Sequence, residues 1–216
     1  MVNSVMKVLR QASYYFGTMI SYLFSAKIIR IIKNFGNRFY SGWLKRGFNR
    51  CGINLHIEFP MILVGQKYIS IGANFESRGR LRIEAFDVYK DQAYNPEIII
   101  NDNVSINYDC HIGAINKITI GNNVLIGSRV LITDHFHGLA STDFLALPPR
   151  DRSLISKGPI IIEDNVWIGE GAVIMPNVTI GKNSIIGANA VVTKSVPANC
   201  YAVGVPARIT QIMKKQ

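Results

Sequence analysis

Hydrophobic positions recur every six residues along the C-terminal half of this chain. Written in sixes from Ile100, the sequence reads INDNVS, INYDCH and IGAINK, and two residues later IGNNVL, IGSRVL and ITDHFH. From Ile162 it continues as IEDNVW, IGEGAV, IMPNVT, IGKNSI, IGANAV and VTKSVP. Ile opens eleven of these twelve units, and Val192 opens the other. A helix would space its apolar residues by three and four, and a simple strand by two, so each unit is predicted to be a short strand followed by a tight turn.

Repeats of this kind predict an all-β fold, a parallel β-helix. Asn and Gly at the turn positions supply the left-handed backbone conformations that tight turns need. Three units would form one triangular coil, with each opening Ile stacked on that of the next coil. Earlier, irregular coils are predicted around Tyr68 to Phe86, with an insertion from Asp87 to Glu97. The tail TQIMKKQ predicts a short C-terminal helix.

The six-residue pattern stops between His135 and Ile160. This segment has paired prolines, charged residues and no period. A long loop inside a regular solenoid is usually functional, although a tolerated surface insertion would look similar. His135 and His137 stand at its root beside Asp134, and a neutral imidazole with a pKa near 6.5 is suited to general-base catalysis.

The net charge of +10 is concentrated in residues 1–50, which hold nine Lys or Arg and no Asp or Glu. Interleaved with aromatic residues and Ile, these basic residues are typical of a helix lying on an anionic membrane surface. Helices packed on the main domain with a solvated basic face are the alternative. No nucleic-acid-binding motif accompanies the charge, so a nucleic-acid partner is not expected. The uncharged run from Gln11 to Ala26 is too polar and short for a spanning helix or signal peptide, which favours an uncleaved segment on the cytoplasmic side.

Over most of residues 50–210 the chain resembles the left-handed β-helix, hexapeptide-repeat acyltransferases. The likeness is greatest to bacterial acetyltransferases that modify lipopolysaccharide O-antigen and related surface polysaccharides, and rests on the motifs IEAF, DNVSIN, DHFHG, NVWIGEG and VPAN. The left-handed winding is implied by the resemblance and runs against the usual right-handed crossover. We expect a basic helical arm (1–50), a β-helix domain (51–208) with a loop extruded at about 134–160, and a tail (209–216).

The resemblance also implies an active site that uses acetyl-CoA, lies between the subunits of a homotrimer and needs no metal. His135 falls at the position of the family's general base, whereas His56 and His111 are expected to be structural. The residues implied to contact the acceptor are Asn107, Asp109, Asp134, His137 and Trp167. Those implied to contact acetyl-CoA are Trp167, Gly169, Ala188, Lys194, Gly204 and Arg208. Glu170 replaces a small residue of some relatives, which puts the neighbouring backbone contact in doubt.

The expected reaction is O-acetylation of a sugar hydroxyl in a polysaccharide or lipopolysaccharide precursor, in the cytoplasm or at the inner face of the plasma membrane. An antibiotic or another small hydroxylated acceptor is the main alternative. A zinc enzyme like the γ-type carbonic anhydrases would need three converging histidines, two of them as H-x₄-H, and this spacing is absent from the sequence. A non-catalytic scaffold would need neither His135 nor the loop. The three cysteines show no zinc-binding spacing, which is typical of reduced structural thiols.

Overall fold

The computed structural model describes residues 2–138 and 146–212. Two helices come first, α1 (Val2–Leu23) and α2 (Ala26–Leu44), and a 3₁₀ turn (Lys45–Gly47) follows. Ser25 caps α2 by accepting a hydrogen bond from the backbone N–H of Ile28 at 3.4 Å. Phe48, which directly follows this turn, is buried in the solenoid core.

The solenoid consists of six three-stranded coils and a closing pair of strands. The first three coils are β1 (Arg50–Cys51), β2 (His56–Ile57) and β3 (Met61–Val64); β4 (Ile69–Ile71), β5 (Glu76–Ser77) and β6 (Leu81–Ala85); then, after the hairpin β7 (Val88–Tyr89) and β8 (Gln92–Ala93), β9 (Glu97–Ile100), β10 (Ser105–Ile106) and β11 (His111–Ala114). The fourth coil consists of β12 (Lys117–Ile120), β13 (Leu125–Ile126) and β14 (Leu131–Thr133), and the pair β15 (His135–His137) and β16 (Leu154–Ser156) follows it. The fifth coil consists of β17 (Ile160–Ile162), β18 (Trp167–Ile168) and β19 (Val173–Ile174), and the sixth of β20 (Thr179–Ile180), β21 (Ile185–Ile186) and β22 (Val191–Val192). The closing pair is β23 (Cys200–Val203) and β24 (Arg208–Ile212).

The first, second and third strands of successive coils pair in parallel and form three sheets, called faces A, B and C. The register stacks the same repeat position from coil to coil, so that Ile100 lies opposite Ile120, which lies opposite Ile162. The opening residues of all twelve repeats are buried, with exposed fractions of at most 1%. The predicted parallel β-helix with an inward Ile stack is therefore confirmed.

A ladder of asparagines joins the coils at the corner between faces A and B. Its members are Asn54, Asn74, Asn103, Asn123, Asn165, Asn183 and Asn199, all in the left-handed region with φ between 56° and 59°. Each side-chain amide donates to the carboxamide oxygen of the next Asn at 2.8–3.1 Å. Asn suits this corner because it tolerates the left-handed conformation and supplies both a donor and an acceptor.

Both interruptions of the repeat leave the solenoid at the corner between faces C and A. The predicted insertion is confirmed as the β7–β8 hairpin, which separates the second and third coils. The loop leaves between the fourth and fifth coils, and its first and last residues pair as the antiparallel strands β15 and β16. Within the predicted span of 134–160, His135–His137 and Leu154–Ser156 are therefore paired strands. Residues 139–145 lie outside the described residues.

The predicted C-terminal helix is wrong for its first residues, since Arg208–Ile212 form β24, antiparallel to β23. Without β24 the backbone groups of β23 would form an open sheet edge at the end of the solenoid, and pairing satisfies them. Residues 213–216 of the predicted helix lie outside the described part of the chain.

Candidate active site

The side chain of His135 is held by its neighbour Asp134 at the corner between faces C and A. Asp134 is fully buried, and its carboxylate accepts the backbone N–H of Ile115 at 3.0 Å and that of Asn116 at 2.9 Å. The same Oδ1 lies 3.0 Å from His135 Nδ1. A carboxylate can only accept here, so the imidazole carries its proton on Nδ1 and leaves the lone pair of Nε2 free.

This geometry corrects the predicted role of Asp134. Both of its oxygens are occupied by backbone and imidazole groups, and its side chain has an exposed fraction of 0%. An acceptor molecule therefore cannot reach the carboxylate. Asp134 positions His135 instead of contacting the acceptor.

A second histidine, expected to be structural, lies beside His135 on the outer surface of face C. A Cβ built on Gly113 would lie 3.3 Å from both His111 Nε2 and His135 Cε1, so the two imidazoles converge over this glycine. His111 Nε2 is 3.1 Å from Oε2 of the buried Glu84. Burial is the main cause that lowers the pKa of His111, and Arg82, 2.7 Å from Glu84, adds to it.

The alternation of inward and outward side chains along β11 could have predicted part of this cluster. His111 and Gly113 are separated by the inward Ile112 and therefore share the outer side of β11, next to Glu84 on β6. What the sequence lacked was the fold of the chain after Thr133, which brings the His135 ring back over Gly113. His56, by contrast, lies on β2 of face B, away from this cluster.

An aromatic wall encloses the other side of His135. The ring of Phe86 meets the His135 imidazole edge-on with centroids 6.2 Å apart, and Tyr89 meets the His137 ring in the same manner at 5.5 Å. The Tyr94 hydroxyl lies 3.0 Å from both the backbone oxygen and the backbone nitrogen of Leu154. The β7–β8 hairpin thus fastens the extruded loop, a role that the sequence analysis did not assign to it.

A cavity of about 900 Å³ lies at a different corner, between faces B and C. Four predicted site residues line it: Asn107, Trp167, Gly169 and Ala188. Trp167 is half exposed, and the Asn107 amide donates to the backbone oxygen of Ile126 at 3.2 Å. A Cβ on Gly169 would lie 2.6 Å from the backbone nitrogen of Ala188, so glycine at this position permits the close stacking of two coils. Glu170 also lines the cavity and pairs with Arg129.

The other predicted residues lie outside the set that lines this cavity. Asp109 pairs with Arg80 at the rim of the same corner, and this guanidinium lowers the pKa of its carboxyl. Lys194 is exposed at the end of the sixth coil, while Gly204, with φ of 98°, forms the turn before Arg208. The roles assigned to these residues in binding acceptor or cofactor stay predictions.

The candidate base and the cavity therefore occupy separate corners of one chain. His135 follows a strand of face C, whereas Asn107 and Trp167 lie at the face B side of the cavity. Within residues 2–138 and 146–212, no cluster of three or more His, Cys, Asp or Glu could hold a metal ion. Burial raises the pKa of the Cys110 thiol to about 11, which makes this thiol a poor nucleophile at neutral pH.

Comparisons with known proteins agree with this fold. The family model "Bacterial transferase hexapeptide (six repeats)" matches residues 159–194, and "Hexapeptide repeat of succinyl-transferase" matches residues 117–133. The protein WbbJ of Escherichia coli (strain K12), assigned as a lipopolysaccharide biosynthesis O-acetyl transferase, is 37% identical over 156 residues, which are 71% of this chain and 76% of WbbJ.

Two further proteins extend the likeness to cofactor and structure. The galactoside O-acetyltransferase of the same E. coli strain is 39% identical over 122 residues, 54% of this chain and 55% of that enzyme. A hexapeptide-repeat acetyltransferase from Vibrio cholerae O1 biovar eltor, solved with acetyl-coenzyme A, is 26% identical with a TM-score of 0.56 and covers 88% of this chain and 91% of that one. The chain belongs to the left-handed β-helix, hexapeptide-repeat acyltransferases, and it is an acetyl-CoA-dependent acetyltransferase of that family.

Proposed function

We propose that the protein transfers the acetyl group of acetyl-CoA to a sugar hydroxyl of a lipopolysaccharide or surface-polysaccharide precursor. The observation that carries this proposal is the arrangement of Asp134 and His135, in which the carboxylate holds Nδ1 and leaves Nε2 free at the root of the loop. The names of WbbJ and galactoside O-acetyltransferase support a sugar acceptor.

In the proposed reaction His135 acts as the general base. Nε2 takes the proton of the sugar hydroxyl while its oxygen attacks the thioester carbonyl, and the proton then passes to the departing CoA sulfur. General-base assistance of this kind is worth about 10²–10⁴-fold in rate. Asp134 stabilises the transient imidazolium, and a backbone N–H of a repeat turn stabilises the oxyanion.

The acceptor would lie over face C between the two histidines and the hairpin. Glu84 and His111 offer hydrogen-bonding groups on one side, and Tyr89 and His137 form a rim on the other. Aromatic rings and fixed polar groups together suit a saccharide, which presents apolar C–H faces and hydroxyls. Because acetyl-CoA is made in the cytoplasm, we place the reaction on the cytoplasmic side.

The complete site would form between subunits of a homotrimer. One chain holds His135 and the cavity at different corners, and a three-fold arrangement would bring the His135 of one subunit to the cavity of the next. Mixing inactive His135→Asn and Asn107→Ala proteins tests this point. After random exchange of subunits in equal amounts, about a quarter of the subunit interfaces should hold a complete site, because each site needs His135 from one variant and Asn107 from the other. No recovery after verified subunit exchange would contradict a shared site.

An acceptor panel tests the proposed function. Acetyl-CoA consumption should be fastest with lipid-linked saccharides or oligosaccharides, slower with nucleotide sugars and negligible with chloramphenicol or a streptogramin. The acetylated product should carry an alkali-labile ester, which mass spectrometry detects. Turnover with the antibiotics and not with the saccharides would contradict the sugar acceptor and indicate a drug acceptor.

A further inference from the structure

The α2 helix packs on the solenoid with its polar side and leaves its apolar side exposed. Its buried residues are Asn37, Ser41 and Leu44. Ser41 Oγ accepts the backbone N–H of Ile57 at 2.8 Å, and Asn37 Oδ1 accepts that of Phe59 at 3.2 Å. These hydrogen bonds, with an ion pair between Lys33 and Glu58, fix which side of α2 faces the body of the protein.

The opposite side of α2 carries a continuous apolar stripe. Its residues are spaced by four, three, four and four, which places them along one side of a helix. They are Ile28, Ile32, Phe35, Phe39 and Trp43. Phe35, Phe39 and Trp43 have exposed fractions of 75%, 74% and 71%. An exposed apolar surface of this kind marks a contact with a partner or with a membrane.

The α1 helix carries a second exposed apolar side. Its side chains from Val5 to Tyr22 are exposed except Ile20, which is half-buried. Val5, Leu9 and Phe16 lie along one side of it, opposite Lys7 and Arg10. Among the described residues no single helix is long and apolar enough to cross a membrane. Only α1 and α2 taken together, with a bend of 82° between them, have the length and composition of a membrane-crossing segment.

The charges decide between the possible occupants of this surface. The first acidic residue of the chain is Glu58, and nine basic residues precede it. Lys27 and Arg38, three helical turns apart, lie along one edge of the α2 stripe. The arm of a second copy would bring the same positive charge and be repelled, whereas anionic lipid headgroups complement it. Trp and Phe beside basic residues are also the composition preferred at a membrane interface.

We infer that α1 and α2 dock the enzyme on an anionic membrane surface, with the α2 stripe inserted among the acyl chains. This inference deepens the proposed function and rests on it for the acceptor, because a lipid-linked saccharide would reside at the same surface. Membrane binding itself requires neither acetyl-CoA nor an acceptor, so it is measured separately from catalysis.

Flotation of the full chain with vesicles tests the inference. Vesicles of phosphatidylcholine mixed with phosphatidylglycerol should bind the protein, and vesicles of phosphatidylcholine alone should bind it weakly. The triple variant Phe35→Gln, Phe39→Gln, Trp43→Gln should bind anionic vesicles at least about 100-fold more weakly. The control variant Ile161→Gln, Ile209→Gln replaces exposed apolar residues of the fifth coil and of β24, and it should bind as the natural protein does.

A charge variant provides a second measurement that leaves the apolar stripe intact. Lys27→Gln with Arg38→Gln should weaken binding by about 25-fold, because each basic residue near an anionic surface contributes about fivefold.

Absence of vesicle binding by the natural protein, or equal binding by the triple variant, would overturn the inference. Loss of the oligomer in the triple variant would also overturn it, since the stripe would then cover a neighbouring subunit. Acetylation of a water-soluble sugar, assayed without vesicles, should be equal in all four proteins, so a failure of the proposed reaction would show there and not in flotation.

Discussion

The substitution Asp134→Asn tests whether Asp134 positions the base His135 or contacts the acceptor. If the amide oxygen takes the Oδ1 place, it keeps Ile115 N–H and His135 Nδ1–H but turns its NH₂ toward the N–H of Asn116. If it takes the Oδ2 place, the NH₂ faces the other two donors, and His135 must carry its proton on Nε2. Each placement leaves a buried donor unpaired, which costs about 1–3 kcal/mol of stability.

The catalytic loss follows from the same two placements. With the tautomer retained, a neutral hydrogen bond replaces a charge-assisted one, and this change loses about 1–1.5 kcal/mol of transition-state stabilisation. At 1.36 kcal/mol for each factor of ten, kcat falls by about 5–13-fold. With the tautomer reversed, Nε2 cannot accept a proton, and the whole general-base contribution of about 10²–10⁴-fold is lost.

The assay compares kcat, the KM for the acceptor and the melting temperature of Asp134→Asn with those of Asp164→Asn. Asp164 also accepts a backbone N–H, that of Asn122 at 2.7 Å, but it lies at the corner between faces A and B, far from either histidine. The control should lose stability and keep its kcat. A kcat for Asp134→Asn within about threefold of the natural protein would refute the reasoning, because a tautomer-fixing carboxylate is worth more than that.

Three further predictions concern the surroundings of His135. Gly113→Ala places a methyl group against both imidazoles and should lower kcat by at least about tenfold through misplacement of the base, with little change in melting temperature. Tyr94→Phe releases the loop from the hairpin and should raise the KM for the acceptor several-fold, measured by steady-state kinetics, while an unchanged KM would show that the hairpin does not shape the site. Because burial lowers the pKa of His111, the unfolded chain binds its proton first as the pH falls below about 6.5, so stability should decline there; in His111→Gln, denaturation curves should show a shallower decline.

The solenoid was predictable because one local rule repeats. Every opening Ile faces inward, and each coil stacks on the next, so the period alone determines the strands, the turns and the core. The C-terminal tail did not follow from this rule. Its conformation depends on the exposed edge of β23, a tertiary feature that helix propensity does not contain.

Only the part of the site that depends on a local feature of the sequence was predictable. The interruption after Thr133 identified His135, and the resemblance supplied its role. The burial of Asp134 and the approach of His111 depend on how the corner folds over Ile115 and Asn116, which no spacing in the sequence expresses. The basic and aromatic residues of the N-terminal segment predicted either a membrane-surface helix or a packed one, but the amphipathic pattern does not say which side of α2 packs on the body.

The central claim is that His135 acts as the general base in direct acetyl transfer, and its most direct measurement is the rate of transfer from acetyl-CoA to the best acceptor of the panel. His135→Asn should lower kcat by about 10²–10⁴-fold while the melting temperature and oligomeric state stay unchanged. His137→Asn, a substitution of the same size two residues along β15, should change the KM for the acceptor more than kcat, because His137 lies at the rim of the proposed acceptor site. Undiminished turnover by His135→Asn would contradict the account.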